Sequence, residues 1–195
     1  MTFGSPEELE QRLNLIPSGD MARGFVFTTS LEAVRSEADE AVLKRCLEAA
    51  GQGPFIPFFN YPMSALLRLL YTGAWELSGK YGGFEKAMWH LGASSAPGFL
   101  RSTVGRMLLA MSGMDVRRLV EGIPVAYPAI YDHGTCTLSW TGERSGRLHL
   151  QGNLLPPPFI EGAVLHVCQA VHGSGLTVQV RRVAPRETVL TISWA

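Results

Sequence analysis

The chain has 195 residues, of which 46% are hydrophobic and 17% charged, enough to bury a substantial core in one domain or at most two. Its 17 Lys and Arg equal its 17 Asp and Glu, so the net charge of zero gives no general attraction to nucleic acid or to an anionic membrane surface. These values exclude a largely disordered chain and any partner recognised by bulk charge alone.

Three cysteines at wide spacings, Cys46, Cys136 and Cys168, are an odd count that fits a reducing compartment better than a disulfide framework. The opening MTFGSPEELEQRL is acidic where an export signal would be basic and then apolar, so the expected location is the cytoplasm. Ser5, Pro6 and Glu8 predict a helix start, and Leu9, Leu13 and Ile16 one buried face. Ala22 to Glu37 reads as a second helix despite β-prone Phe25, Val26 and Phe27, and Ala38 to Ala50 as a third, stopped by Gly51. Asn60-Tyr61-Pro62 reads as a cap and first turn for the most apolar helix, carrying Met63, Leu66, Leu67, Leu70, Trp75 and Leu77. This stretch is interrupted by Arg68 and Thr72 and falls short of a membrane span, so no transmembrane segment is expected. Phe84 to Leu91 predicts a short helix closed by Gly92; a further helix through Phe99, Val104 and Met111 ends at Gly113, and another follows Asp115.

From about residue 133 the period changes to two. Cys136, Leu138 and Trp140 alternate with polar residues, as do Leu148 and Leu150 after the turn from Gly142 to Gly146, which predicts a hairpin. A helix from Phe159 to His172 and a second strand pair around Ala184-Pro185-Arg186 complete a strand-strand-helix-strand-strand order. The expected architecture is α+β: an N-terminal helical layer (6–132) packed on a C-terminal four-stranded antiparallel sheet with ββαββ order (133–195), the whole of 1–195 forming a single domain.

No assembled catalytic set is visible. Ser102 and Ser139 sit in no nucleophile elbow, and Gly173-Ser174-Gly175 lacks the lysine of a phosphate loop. Asp132-His133 is at most half a triad, and Cys168 and His172, four apart on a helix beside His166, supply too few ligands for a metal site, so none is assigned. His90 is the candidate for an axial haem ligand, although a histidine at a helix end serves equally by interacting with exposed carbonyls. Arg101, Arg106, Arg117 and Arg118 read as a solvated basic face. The aromatic side chains of successive helices are the more suggestive group. Phe58, Tyr71, Trp75, Trp89 and Phe99, with His90, are the candidate lining of an apolar pocket between helices and sheet.

A series of landmarks runs through the chain in order: Arg23-Gly24-Phe25-Val26-Phe27, Phe58-Phe59-Asn60-Tyr61-Pro62, Tyr81-Gly82-Gly83, Leu91-Gly92, Pro124 with Tyr127, and Leu155-Pro156-Pro157 with Glu161-Gly162. In these the chain resembles, from about Leu13 to Trp194, an expanded paralogous family of myxobacteria known as domain of unknown function 2378. The resemblance implies a fold like that of haem nitric-oxide-binding domains, vinyl-reductase-type ligand-binding domains and small subunits of transport-particle tethering complexes. The Tyr-x-Ser-x-Arg signature of the haem-binding branch is absent.

The leading expectation is a cytoplasmic, non-catalytic ligand-binding or protein-interaction domain of sensor or adaptor type. It would be a homodimer, taking a small hydrophobic ligand or a protein partner and no nucleic acid. The alternatives are a haem-dependent gas or redox sensor resting on His90, His166 and His172, and an enzyme for a small hydrophobic substrate resting on Asp132, His133 and Glu161.

Overall fold

A computed structural model describes residues 2–51, 53–171 and 175–195. Helix α1 (Pro6–Asn14) starts as its sequence dictates: the Ser5 hydroxyl accepts from Glu8 N and Pro6 takes the first turn. Strand β1 (Met21–Arg23) then pairs antiparallel with β2 (Asn60–Pro62), and each strand runs directly into a helix, α2 (Gly24–Glu37) and α4 (Met63–Tyr81). Two expectations are corrected here. The first residues of the predicted second helix are strand, and Asn60 pairs with Arg23 instead of capping α4. The cap is supplied by backbone, since Met63 N donates to Asp20 O at 2.9 Å.

Helix α3 (Glu40–Ala50) is capped by Asp39 and stopped by Gly51 in the left-handed region at φ 71. Helix α4 is the centre of the helical layer, with Leu66, Leu67, Leu69, Leu70 and Tyr71 all at 0% exposure. Each such leucine contributes on the order of 2 kcal/mol by burial.

Helix α5 (Phe84–Arg101) differs most from expectation: it continues through Gly92 and Pro97. Its length follows from what crosses it. A Cβ on Gly92 would lie 2.1 Å from Phe159 O, and one on Gly162 would lie 2.2 Å from Trp89 O, so α5 and α8 (Pro157–Gln169) meet backbone to backbone at two facing glycines. Gly92 is there for close approach, not as a stop. Ser102 and Asp115 cap α6 (Thr103–Ser112) and α7 (Val116–Ala126), and a 3₁₀ turn (Tyr127–Ala129) follows.

Strands β3 (Thr135–Gly142), β4 (Ser145–Gln151), β5 (Thr177–Ala184) and β6 (Glu187–Ser193) form one antiparallel sheet in the order β3-β4-β6-β5, with α8 between the hairpins. The period of two fixes its faces. Registers Leu138↔Leu148, Leu148↔Leu190 and Val178↔Ile192 place these apolar side chains on the face toward the helices. One continuous cluster of buried side chains joins Phe27, Leu66 and Leu70 of the helices to Leu148, Leu190 and Ile192 of the sheet.

Polar contacts also tie the two layers. Arg12 donates to Leu154 O at 3.2 Å, and Arg186 meets Asp20 at 2.5 Å. The Arg117 guanidinium lies 3.9 Å over the Trp140 ring, so this residue of the predicted basic face serves as packing between α7 and the sheet.

Candidate ligand-binding cavity

Where the helical layer meets the sheet, side-chain packing leaves a cavity of about 150 Å³. Phe25, Val26 and Thr29 of α2, Ser95, Ala96 and Phe99 of α5, and Ile123 and Ala126 of α7 form its helical walls. The 3₁₀ turn and its continuation add Tyr127, Ile130 and Tyr131; α8 adds Phe159, Ile160, Ala163 and Val164; and β4 and β6 supply a floor of Leu148, Leu150 and Leu190. Asn153 and Leu155, in the connection from β4 to α8, close one end.

The wall is more apolar than its residue names suggest. Thr29 Oγ1 donates to Val26 O at 3.1 Å and Ser95 Oγ to Gly92 O at 2.7 Å, so both hydroxyls are satisfied by their own helices. Tyr127 and Asn153 differ. They are 5% and 3% exposed, and the Tyr127 hydroxyl and Asn153 Oδ1 have no hydrogen-bond partner. Burial pushes the Tyr127 phenol up to about 12; the Asn153 amide lies beside it closely enough to moderate that rise, but the two groups are not aligned as a hydrogen bond. The Tyr131 ring packs on Tyr127 at 5.1 Å, and burial raises its pKa too.

Of the six residues proposed from sequence, the structure brings Phe99 to this cavity and puts the others elsewhere. Phe58 is 74% exposed on the connection before β2. The Tyr71 hydroxyl donates to Glu8 of α1, and its neighbour Trp75 donates from Nε1 to Gly4 O at 2.6 Å. Trp89 packs edge-on against His166 at 5.5 Å, and His90 stacks on Tyr81 at 3.9 Å. Tyr71, Trp89 and His90 thus hold helices to one another. Of the residues that line the chamber, Tyr127, Tyr131 and Asn153 lie in aperiodic segments, and of these three the sequence landmarks include only Tyr127, paired with Pro124.

The other candidates resolve as follows. His133 Nδ1 is 3.1 Å from Met21 O and 3.3 Å from Asp132 Oδ1, a carboxylate that also takes the Met21 N–H at 2.8 Å, so the pair fastens β1 to the start of β3. His166 Nδ1 lies 3.0 Å from Gly162 O, Cys168 is buried, and His172 lies outside the described residues. Burial pushes the thiols of Cys136 and Cys168 up to about 12 and that of Cys46 to about 11, leaving them poor nucleophiles at neutral pH. Among the described residues no three His, Cys, Asp or Glu gather as metal ligands, and no helix is long and apolar enough to cross a membrane.

This architecture is similar to that of H-NOX domains. A mutant H-NOX protein from K. algicida in the Fe(II) unliganded state matches with TM-score 0.67 at 16% identity, covering 89% of this chain and 96% of that one. An H-NOX protein from S. oneidensis in the Fe(II)NO ligation state matches at 0.64 and 12%, covering 89% and 99%. An oxygen-binding H-NOX domain related to soluble guanylate cyclases matches at 0.54 and 11%, covering 88% and 94%. At such identities the likeness is one of fold. The sequence itself matches the model of a family described as protein of unknown function (DUF2378) over residues 16–195, and the chain belongs to that family. Among curated proteins none matches.

The fold invites a test for haem, and the cavity residues do not fit it. Among the described residues no His, Cys, Met, Lys or Arg lines the chamber, so it offers neither an axial nitrogen or sulfur ligand nor a cation for a propionate. Its volume is near that of a cavity of about 150 Å³ that admits benzene, far below that of a porphyrin. His90, the sequence candidate for the iron, is occupied in a stack against Tyr81.

Proposed function

We propose that this chain is a non-catalytic, cytoplasmic ligand-binding domain of sensor or adaptor type, in which a small and largely apolar molecule occupies the cavity between the helices and the sheet. The observation that carries this reading is the cavity itself: about 150 Å³ of space walled by apolar side chains from helices and sheet alike. Close-packed interiors seldom leave such a volume unfilled. An occupant would touch α2, α5, α7, α8, β4 and β6 together, which is what a sensor needs if binding is to alter how two layers sit. The likeness to H-NOX domains supports a sensing role by fold alone, and the engagement of Asp132 and His133 with the Met21 backbone favours a non-catalytic one. A homodimer is part of the proposal; Met107, Met111 and Met114, all more than half exposed around the end of α6, are the apolar surface that supports it.

The test uses toluene as the probe. Titration into the purified chain, followed by protein NMR, is expected to shift resonances of cavity residues such as Ala126, Ala163 and Leu190 saturably. Ala163→Leu, which fills the chamber from α8, is expected to abolish those shifts while leaving the chain folded. Absence of saturable shifts in the unmodified chain contradicts the reading.

A further inference from the structure

The cavity is apolar on most sides but carries two unmatched polar atoms on one wall. Among the described residues, five buried side-chain atoms lack a hydrogen-bond partner, and two of them, the Tyr127 hydroxyl and Asn153 Oδ1, belong to residues lining this one chamber. Buried polar groups without partners are rare and costly, and two on one cavity wall call for a common cause. Neither residue is pinned by a role elsewhere: Tyr127 caps α7 through backbone alone, and Asn153 sits in the connection leaving β4.

The hydrogen-bonding inventory narrows what would satisfy both. The Asn153 oxygen only accepts, and the Tyr127 hydroxyl can donate or accept. A ligand carbonyl takes the Tyr127 proton and leaves Asn153 Oδ1 orphaned. A ligand hydroxyl can donate to Asn153 Oδ1 while accepting from Tyr127, and so satisfies both. An amine or carboxylate would bring charge into a wall with no counter-ion: Thr29 and Ser95 are already satisfied by their helices, and the lining holds no ionisable group besides the two phenols.

We infer that the site is built for a hydroxyl-bearing small molecule, an apolar body of about the size of a benzene ring with one phenol or alcohol group docked between Tyr127 and Asn153. This rests on the cavity being the binding site and adds the chemistry it selects. Both atoms are shut off from solvent. The Asn153 amide lies beside the Tyr127 hydroxyl with no hydrogen bond aligned between them, and a ligand hydroxyl entering there would supply both missing bonds. The polar group is read on the wall nearest the sheet connection and the body by the helices, which makes the interaction orienting as well as selective.

Phenol and toluene test this, because they share shape and differ in one polar atom. In a wholly apolar chamber the phenol hydroxyl would lose its water and gain nothing, so toluene would bind and phenol would not. Here, by calorimetry on the full chain, phenol is expected to bind at least as tightly as toluene. Tyr127→Phe and Asn153→Leu are each expected to weaken phenol by about tenfold while leaving toluene within about twofold. Retained toluene binding shows that the variants remain folded. Cyclohexanol is expected to bind more tightly than cyclohexanone, since only the alcohol satisfies both atoms. Toluene binding with phenol excluded, phenol binding indifferent to both substitutions, or equal binding of alcohol and ketone overturns the hydroxyl inference and leaves the apolar site standing. Failure of toluene and phenol alike overturns both.

Discussion

Glu37 shows how a single carboxylate decides a local arrangement. It ends α2 and receives hydrogen bonds from Lys80 at 2.6 Å, from the Tyr81 hydroxyl and from Ser94 at 3.2 Å, so one side chain fastens α2 to α4 and α5. Burial alone would raise its pKa; the bonds from Lys80, Tyr81 and Ser94 outweigh burial and hold it below the ordinary 4.5. A carboxyl whose folded pKa lies below its unfolded value stabilises the folded chain above the unfolded value, and that contribution is lost as pH falls through the folded one. The urea midpoint of the unmodified chain should therefore drop on acidification below 4.5. Glu37→Gln should lower the midpoint at neutral pH and flatten that drop. Equal acid sensitivity in the two proteins would show that other carboxylates carry the effect. The same cluster explains His90: its ring lies against Tyr81 at 3.9 Å, a packing role on the side of α5 away from the chamber.

At the scale of elements, the crossing of α5 and α8 is the contact on which the cavity depends, because both helices contribute to its wall. Gly92→Ala would press a methyl group to about 2.1 Å from Phe159 O, a backbone atom that cannot swing aside. The expected cost is about 3 kcal/mol, read as a lower urea midpoint. Gly79→Ala in α4 is the matched control: nothing lies within 4 Å of its Cβ position, so better helix propensity should stabilise by about 0.5–1 kcal/mol. If both substitutions act alike, the close crossing is not the reason for Gly92. The pair also shows what the sequence could disclose. Strands β3 to β6 were legible because one face is buried and the alternation is direct. Gly92 was misread because a helix stop and a close approach both ask for glycine, and the distinction lies in α8, more than sixty residues away. Strands β1 and β2 have three residues each, too few for a period to show. The polar end of the chamber was hidden for a related reason: its pair of polar residues comes from two connections without periodicity, whereas the conspicuous tryptophans Trp75 and Trp89 face other neighbours.

For the whole molecule, the arrangement of tryptophans offers a direct check that the layers act together. Trp75 and Trp89 lie on α4 and α5, Trp140 and Trp194 on and beside the sheet, and the latter two meet edge to face at 6.1 Å. A chain carrying Trp75→Phe and Trp89→Phe reports by fluorescence from the sheet and its border with α7, while far-UV circular dichroism is dominated by the helices. The two signals are expected to give the same urea midpoint. Leu148, Leu190 and Ile192 of the sheet share one buried cluster with Phe27, Leu66 and Leu70, so neither layer can lose its partner without exposing its own core. Separated midpoints would mean that the sheet hairpins and α8 carry an independent nucleus, and a ligand between the layers could then not couple them. If the midpoints coincide, a ligand that binds only the folded state must raise both signals equally, by about 2.7 kcal/mol at a hundred times its Kd. Occupancy of the chamber is then felt by the entire chain, and outer surfaces, including the exposed methionines around the end of α6, become available as the output of binding.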